Sequence, residues 1–397
     1  MKTQIAIVTY DLLPKRKRLL PWRTVCEVVA GMRRRGYDAR LISINRNIDH
    51  PCVSQEYDVP VWFYQNIRVC RPGADDFYPD LVYWPVAWRD ALKPYSHWHG
   101  WDCPTVVYQD GGCHRLPQVL AAMRYMPLTR LKNLMVEAFL PKRLLVRKLK
   151  KRRVSGVLCM TEFTRQDFVN AGWPSRRSIA VLPGMPAKEE PDGQTQCHDE
   201  LDFANGDQDY VLFLGNPLPV RGINVLLSAA PKVFERCKNL KIVCLLRPDP
   251  GREMEIARQN VLRSIDDLNM RERFICVTKN LSSREIQASI KRARAVVMPF
   301  LYIPTEIPLG ILEAMQLGTP VITTQSGGTS EYISKGGWII PPGKVAPLSE
   351  AIISAALDDE TRREKVEACL AIMGSHPTWE SVANSWIDFG ESVCKSV

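Results

Sequence analysis

A helix that opens at a glycine and carries a carboxylate one turn in lies within residues 299–320, PFLYIPTEIPLGILEAMQLGTP. The apolar strand 295–298 feeds a loop that reaches Gly310, and a helix with Glu313, Ala314 and Met315 runs to Gly318, where glycine ends helices and Pro320 forbids continuation. The amides of Gly310, Ile311 and Leu312 then point outward with the positive end of the helix dipole, which suits a phosphate. Glu313 can accept hydrogen bonds from hydroxyls beside that phosphate. The alternative is an ordinary connection whose Glu313 is a solvated first-turn carboxylate favoured by the dipole.

Other segments carry a matching order. After Gly318 come Thr319-Pro320-Val321-Ile322, then Ser326-Gly327-Gly328 and Glu331; before it stand TEFTRQDFV at 161–169, SIAVLPG at 178–184 and YVLFLGNPLPVRG at 210–222, and TWESVA at 378–383 closes the run. Together these resemble the retaining glycosyltransferases of family 4, in which one Glu precedes a second Glu-Ala-Met by seven intervening residues. The resemblance is dense from about residue 154 onward and thin before it. It implies two Rossmann-like domains facing a cleft (the GT-B fold), a nucleotide-diphosphate-sugar donor, and a last helix that crosses back to the first domain.

Such a transfer must neutralise a leaving diphosphate, orient the sugar and support positive charge at the anomeric carbon. Arg221 falls where the family carries a phosphate-binding Lys, and a guanidinium there can grip two oxygens. Gly215 and Asn216 close the preceding strand, and Asn216 replaces the family's companion Arg. Glu313 matches the ribose-binding Glu. Thr305 occupies the first Glu position and Glu306 the next, so Glu306 is either a donor-sugar contact re-aimed by one residue or a solvated loop carboxylate. In the first half Gln109 stands where many members have His, and Asp110 beside it can bond or deprotonate an acceptor hydroxyl, or simply begin an Asp-Gly-Gly turn. The resemblance also implies that the leaving phosphate takes the acceptor proton, so no dedicated base is required.

The elements that position these residues follow from patterning. Short β-branched runs alternate with longer amphipathic ones in both halves, as in α/β units with parallel sheets. Strands are expected at 5–10, 39–43, 81–84, 105–108, 156–160 and 179–182, then at 210–214, 241–246, 274–277, 295–298, 321–323 and 338–340. Composition marks 189–208 as a Pro/Gly/Asp-rich linker, and the resemblance implies an acceptor-side domain of 1–188 with 378–397 and a nucleotide-sugar domain of 209–377. Asp207-Gln208-Asp209 fits a D-x-D metal pattern, but sits among turn residues and reads as a turn.

At 397 residues, 45% hydrophobic and 24% charged, the chain suits a globular protein of two domains. No apolar run approaches a membrane span, and the apolar start at Ile5–Tyr10 is shorter than a signal peptide needs. The 12 cysteines are scattered singly and the 6 histidines lack ligand spacing, so a reducing, cytoplasmic setting is expected, with no metal or cofactor besides the donor.

Charge is uneven: residues 1–190 hold 31 Lys and Arg against 17 Asp and Glu, +14, and the remainder 22 against 26, −4. An anionic acceptor, glycan or lipid-linked, is expected at the rim carrying Lys15, Arg16, Lys17 and Arg18. Lys142 to Arg153, KRLLVRKLKKRR, reads either as a helix peripheral on an anionic membrane or as one whose Leu stripe packs on its own domain. Rival readings are a non-catalytic sugar-binding or scaffold subunit, given Asn216, Thr305 and Gln109, and a nucleotide-sugar epimerase or phosphorylase. Charge alone would admit nucleic acid, but no recognition motif supports it.

Overall fold

In the computed structural model the described residues are 3–14, 17, 19–45, 48, 50–66, 77–94, 98–109, 116–123, 126, 128–186, 209–247, 251–303 and 305–395. The expected linker 189–208 and Asp110, Lys15, Arg16 and Arg18 lie outside them.

The first domain runs β1 (Gln4–Tyr10), α1 (Trp22–Arg34), β2 (Asp38–Ile44), β3 (Cys52–Ser54), β4 (Val61–Tyr64), β5 (Leu81–Val86), β6 (Thr105–Gln109), α2 (Leu116–Ala122), α3 (Leu128–Phe139), α4 (Lys142–Lys151), β7 (Gly156–Cys159), α5 (Glu162–Asn170) and β8 (Ser178–Ala180). Its sheet order is β3-β4-β2-β1-β5-β6-β7-β8, parallel except where β3 pairs antiparallel with β4. Strands β5 and β6 are buried at every position, as a sheet covered by helices on both faces requires. The sequence did not signal β3 and β4. Val61-Trp62-Phe63-Tyr64 is short and becomes a strand by pairing with β2, a long-range contact.

The second domain runs β9 (Tyr210–Gly215), α6 (Ile223–Arg236), β10 (Lys241–Leu246), α7 (Arg252–Asp267), β11 (Phe274–Val277), α8 (Ser283–Arg292), β12 (Val296–Met298), α9 (Leu309–Gln316), β13 (Val321–Thr324), α10 (Gly327–Ile333), β14 (Gly337–Ile340), α11 (Val345–Leu357) and α12 (Asp359–Gly374). Its parallel sheet has the order β11-β10-β9-β12-β13-β14. From β9 the chain winds outward through β10 and β11, then returns to place β12 on the other side of β9. The crevice at the carboxyl ends of β9 and β12 is therefore the topological switch point, where ligands of such sheets bind.

After α12 the chain re-enters the first domain as α13 (Trp379–Cys394). Val382, Trp386, Ile387, Phe389 and Val393 join one buried cluster with Ile5, Val25, Tyr83 and Tyr108. Contact is close enough that a Cβ on Gly31 would lie 2.4 Å from the Ala383 side chain. Where the chain passes between domains, Met185 N–H donates to Pro377 O at 3.1 Å and His376 Nε2 lies 2.8 Å from Pro183 O.

The apolar stripe of α4 is not exposed. Leu145, Val146 and Leu149 are at most 2% exposed within the first-domain core, and Lys148 Nζ donates to Asp90 O at 2.6 Å. The membrane reading of 142–153 therefore loses its apolar face, because the domain needs that stripe to close its own sheet. Arg143, Arg147, Lys150 and Lys151 remain exposed. No helix among the described residues is long and apolar enough to cross a membrane.

Candidate functional site

Two loops meet at the switch point. The loop after β9 carries Gly215, Asn216 and Arg221, and its Val220 carbonyl accepts from Leu301 N–H at 3.0 Å and Tyr302 N–H at 3.2 Å in the loop after β12. Gly222, which precedes α6, has φ +87° and would drive a Cβ to 1.9 Å from Pro299 O. Only glycine allows both the left-handed turn and this approach. Thr323 and Thr324 hydroxyls, donating to Met298 O at 2.8 Å and Phe300 O at 2.7 Å, fix the end of β12.

Within this frame the Arg221 guanidinium lies 5.5 Å from the centre of the Phe300 ring, stacked against the second loop. Asn216 is 6% exposed, and its Oδ1 finds no hydrogen-bond partner. A buried amide oxygen without a donor costs free energy that a ligand hydroxyl or N–H can recover, whereas the Nδ2 of the same side chain is the group able to donate to a phosphate oxygen.

The helix of the opening motif begins at Leu309, one residue before Gly310, with Pro308 as its cap residue. Ile311 N–H donates to Pro308 O at 3.0 Å, which removes it from the three outward amides expected from sequence. A proline at the cap favours this tightened first turn, since its carbonyl is the nearest acceptor. The earliest amides, Leu309 and Gly310, head the dipole, and Leu312 is buried with Ile311 in the second-domain core. Glu313 is half-buried; burial pushes its carboxyl above the ordinary range, and the opposing influence is Arg23, from the first turn of α1 in the other domain. Arg23 also stacks 5.4 Å from the Trp379 ring and lies 3.7 Å from Glu27.

Arg23 was missed in the sequence reading. Its signal is a cation in the first turn of a helix, where the dipole disfavours positive charge unless something nearby needs it.

Thr305 and Glu306 face the first domain. Glu306 is 3% exposed, which excludes the solvated-loop alternative. Its Oε2 accepts from Thr161 Oγ1 at 2.7 Å, its Oε1 from Thr164 Oγ1, and its carbonyl from Thr329 Oγ1. Thr161 caps α5, so the carboxylate also meets the positive end of that helix. Thr305 Oγ1 approaches Met160 Sδ at 3.6 Å. A Cβ on Gly328 would lie 2.3 Å from Thr161 Cγ2, so the two domains touch here without space for another residue.

Of the basic rim only Lys17 is described, 3.8 Å from Asp58 and 3.5 Å from Glu56 O, on the turn before β4. Asp209, the described end of the D-x-D triplet, lies 3.7 Å from Arg294.

This combination, two parallel-sheet domains with switch-point loops and a helix returning to the first, defines the GT-B class of proteins. Residues 208–358, most of the second domain, match the family model described as Glycosyl transferases group 1. It is 27% identical over 181 residues to a glycogen synthase of Mycobacterium tuberculosis, covering 44% of this chain and 40% of that one. It is 23% identical over 234 residues to the O-antigen chain mannosyltransferase B of Escherichia coli, covering 58% and 59%. The chain thus spans less than two thirds of the length of these curated relatives. In fold it resembles Anabaena HepE, solved in complex with UDP and glucose, with a TM-score of 0.67 and 16% identity over 98% of this chain and 100% of that one.

Proposed function

We propose that the protein transfers a hexose-type sugar, with retention of anomeric configuration, from a nucleotide diphosphate to a glycan or lipid-linked acceptor that carries negative charge. The observation that supports this reading is the meeting, at the switch point, of the loop that carries Asn216 and Arg221 with the loop after β12. Arg221, the Asn216 amide and the leading amides of α9 hold the diphosphate, and Glu313 takes the ribose hydroxyls. The bond between anomeric carbon and phosphate oxygen breaks, the acceptor oxygen bonds that carbon, and the acceptor proton passes to the leaving phosphate. Structures of a protein with the same fold in complex with UDP and glucose support a nucleotide-sugar donor. The enzyme works at the cytoplasmic face of a membrane, without a divalent metal, and Lys15 to Arg18 draw the acceptor.

Thermal-shift screening against a panel of nucleotide sugars tests the donor, since a ligand at 100 times its Kd stabilises by about 2.7 kcal/mol. NMR of the product then reads the anomeric configuration. A protein that no nucleotide sugar stabilises overturns the proposal. A second reading, a non-catalytic sugar-binding subunit, is favoured by Glu306, whose carboxylate is engaged by Thr161 and Thr164. Binding without turnover across the same panel would establish it.

A further inference from the structure

Helices α2 and α3 form a small hairpin beside the cleft. Their contact is made by Val119 and Ala122 on one helix and by Leu131, Leu134 and the partly buried Ala138 on the other. The residue following each contact position points elsewhere: Leu120, Met123, Met135 and Phe139 are between 45% and 61% exposed, and Lys132 is exposed with them. One residue onward is a 100° turn of the same sense in both helices. Two helices packed on each other with only residues 123–127 between them form an antiparallel pair, and in such a pair that common sense brings all five side chains to one side. Leu116, 46% exposed, continues the strip one turn before Leu120.

The strip has a charge setting. Residues 116–153 contain 11 Lys and Arg and a single acid, Glu137, whose carboxylate turns inward to Arg89 at 3.9 Å. Large apolar groups in an exposed strip mark a contact surface, and here the same stretch of chain exposes Lys132, Arg143, Arg147, Lys150 and Lys151. A second copy of the chain would bring the same positive segments together. A bilayer with anionic headgroups offers acyl carbon to the strip and phosphate to Lys132 and the exposed face of α4.

We propose that the outer face of the α2–α3 hairpin, not the stripe of α4, is the surface by which this protein docks on an anionic phospholipid bilayer. α4 supplies charge while its apolar residues stay in the core. The docking also orients the cleft: Gln118 Nε2 donates to Gln325 O at 2.6 Å in the second domain, and a Cβ on Gly343 would lie 3.6 Å from Ala121. A bilayer on the strip therefore puts the cleft rim near headgroup level. The inference concerns the surface alone and adds to the proposed lipid-linked acceptor a route by which it arrives.

The test is co-sedimentation of the full chain with phosphatidylcholine vesicles, with and without phosphatidylglycerol. Wild type should bind the anionic vesicles. Leu120→Ser with Phe139→Ser should weaken that binding by about tenfold or more, because two large apolar groups no longer enter the lipid. Met123→Ser with Met135→Ser, an independent pair on the same face, should act alike. Lys150→Ser with Lys151→Ser should lower binding to anionic vesicles only, and added salt should erase that difference. Wild-type binding by both serine pairs, or no vesicle binding by wild type, overturns the proposal. So does a dimer in sedimentation velocity that the serine variants dissociate, which would make the strip an interface between copies. Thermal shifts by nucleotide sugars are read on the same variants; their persistence separates failure of docking from failure of the donor reading.

Discussion

In the proposed donor site Arg221 and Glu313 have separate roles, and each makes a separate prediction. Arg221→Ala should weaken nucleotide-diphosphate binding by about 1.5–3 kcal/mol, the range for a charged hydrogen bond, measured by calorimetry. Undiminished affinity would remove it from the site. Glu313 has its folded pKa raised by burial, so its protonated form is the one the fold favours. The stability it contributes is present below the ordinary value of 4.5 and is lost as pH rises through the folded value. Glu313→Gln should therefore raise the unfolding midpoint at neutral pH while weakening nucleotide binding, a separation of stability from function that scanning calorimetry and titration detect together. Glu306 differs, because its acceptor oxygens hold the Thr161 and Thr164 hydroxyls. Its placement was not legible in sequence: Thr161 lies 145 residues away, and spacing within a motif says nothing about what packs across a cleft.

At the scale of elements, buried parallel strands and helix breakers were readable because their signals are local. All twelve strands expected from β-branched runs are present, and Gly318, with φ +74°, ends α9 as expected. What failed depended on partners. β4 exists through its pairing with β2, and the helix over 142–151 has the same amphipathic pattern whether its Leu face meets lipid or protein. Burial decides the second case. Leu149→Ala should cost about 2–5 kcal/mol in denaturant unfolding, whereas Leu144→Ala, at 40% exposure, should cost little. Equal costs would contradict the core assignment of α4. The dipole of α9 and Arg221 together should also replace a divalent cation, so activity should survive EDTA. Loss of turnover restored by Mg²⁺ or Mn²⁺ would refute this.

For the whole molecule, one buried and one half-buried histidine set an acid limit. Burial holds His99 at about 4, and it also lowers His376, whose Nε2–H donates to Pro183 O and whose Nδ1 accepts from the Tyr332 hydroxyl. Both folded values lie below the ordinary 6.5, so the stability they provide is complete above that pH and is lost as pH falls toward about 4. Unfolding midpoints should fall across this window, and a His99→Gln, His376→Asn variant should show a flatter profile; parallel profiles would assign the acid sensitivity elsewhere. The returning helix α13 has a consequence for synthesis. Tyr83 donates its hydroxyl to Trp386 O across 303 positions of sequence, and the first core lacks its closing residues until that stretch has left the ribosome. At about 5–20 residues per second the opening domain waits roughly 15–60 s, unfinished, and the domain encoded after it gains its last strand shortly before Trp386 emerges. The second domain is thus positioned to fold first, in reverse of the order of translation.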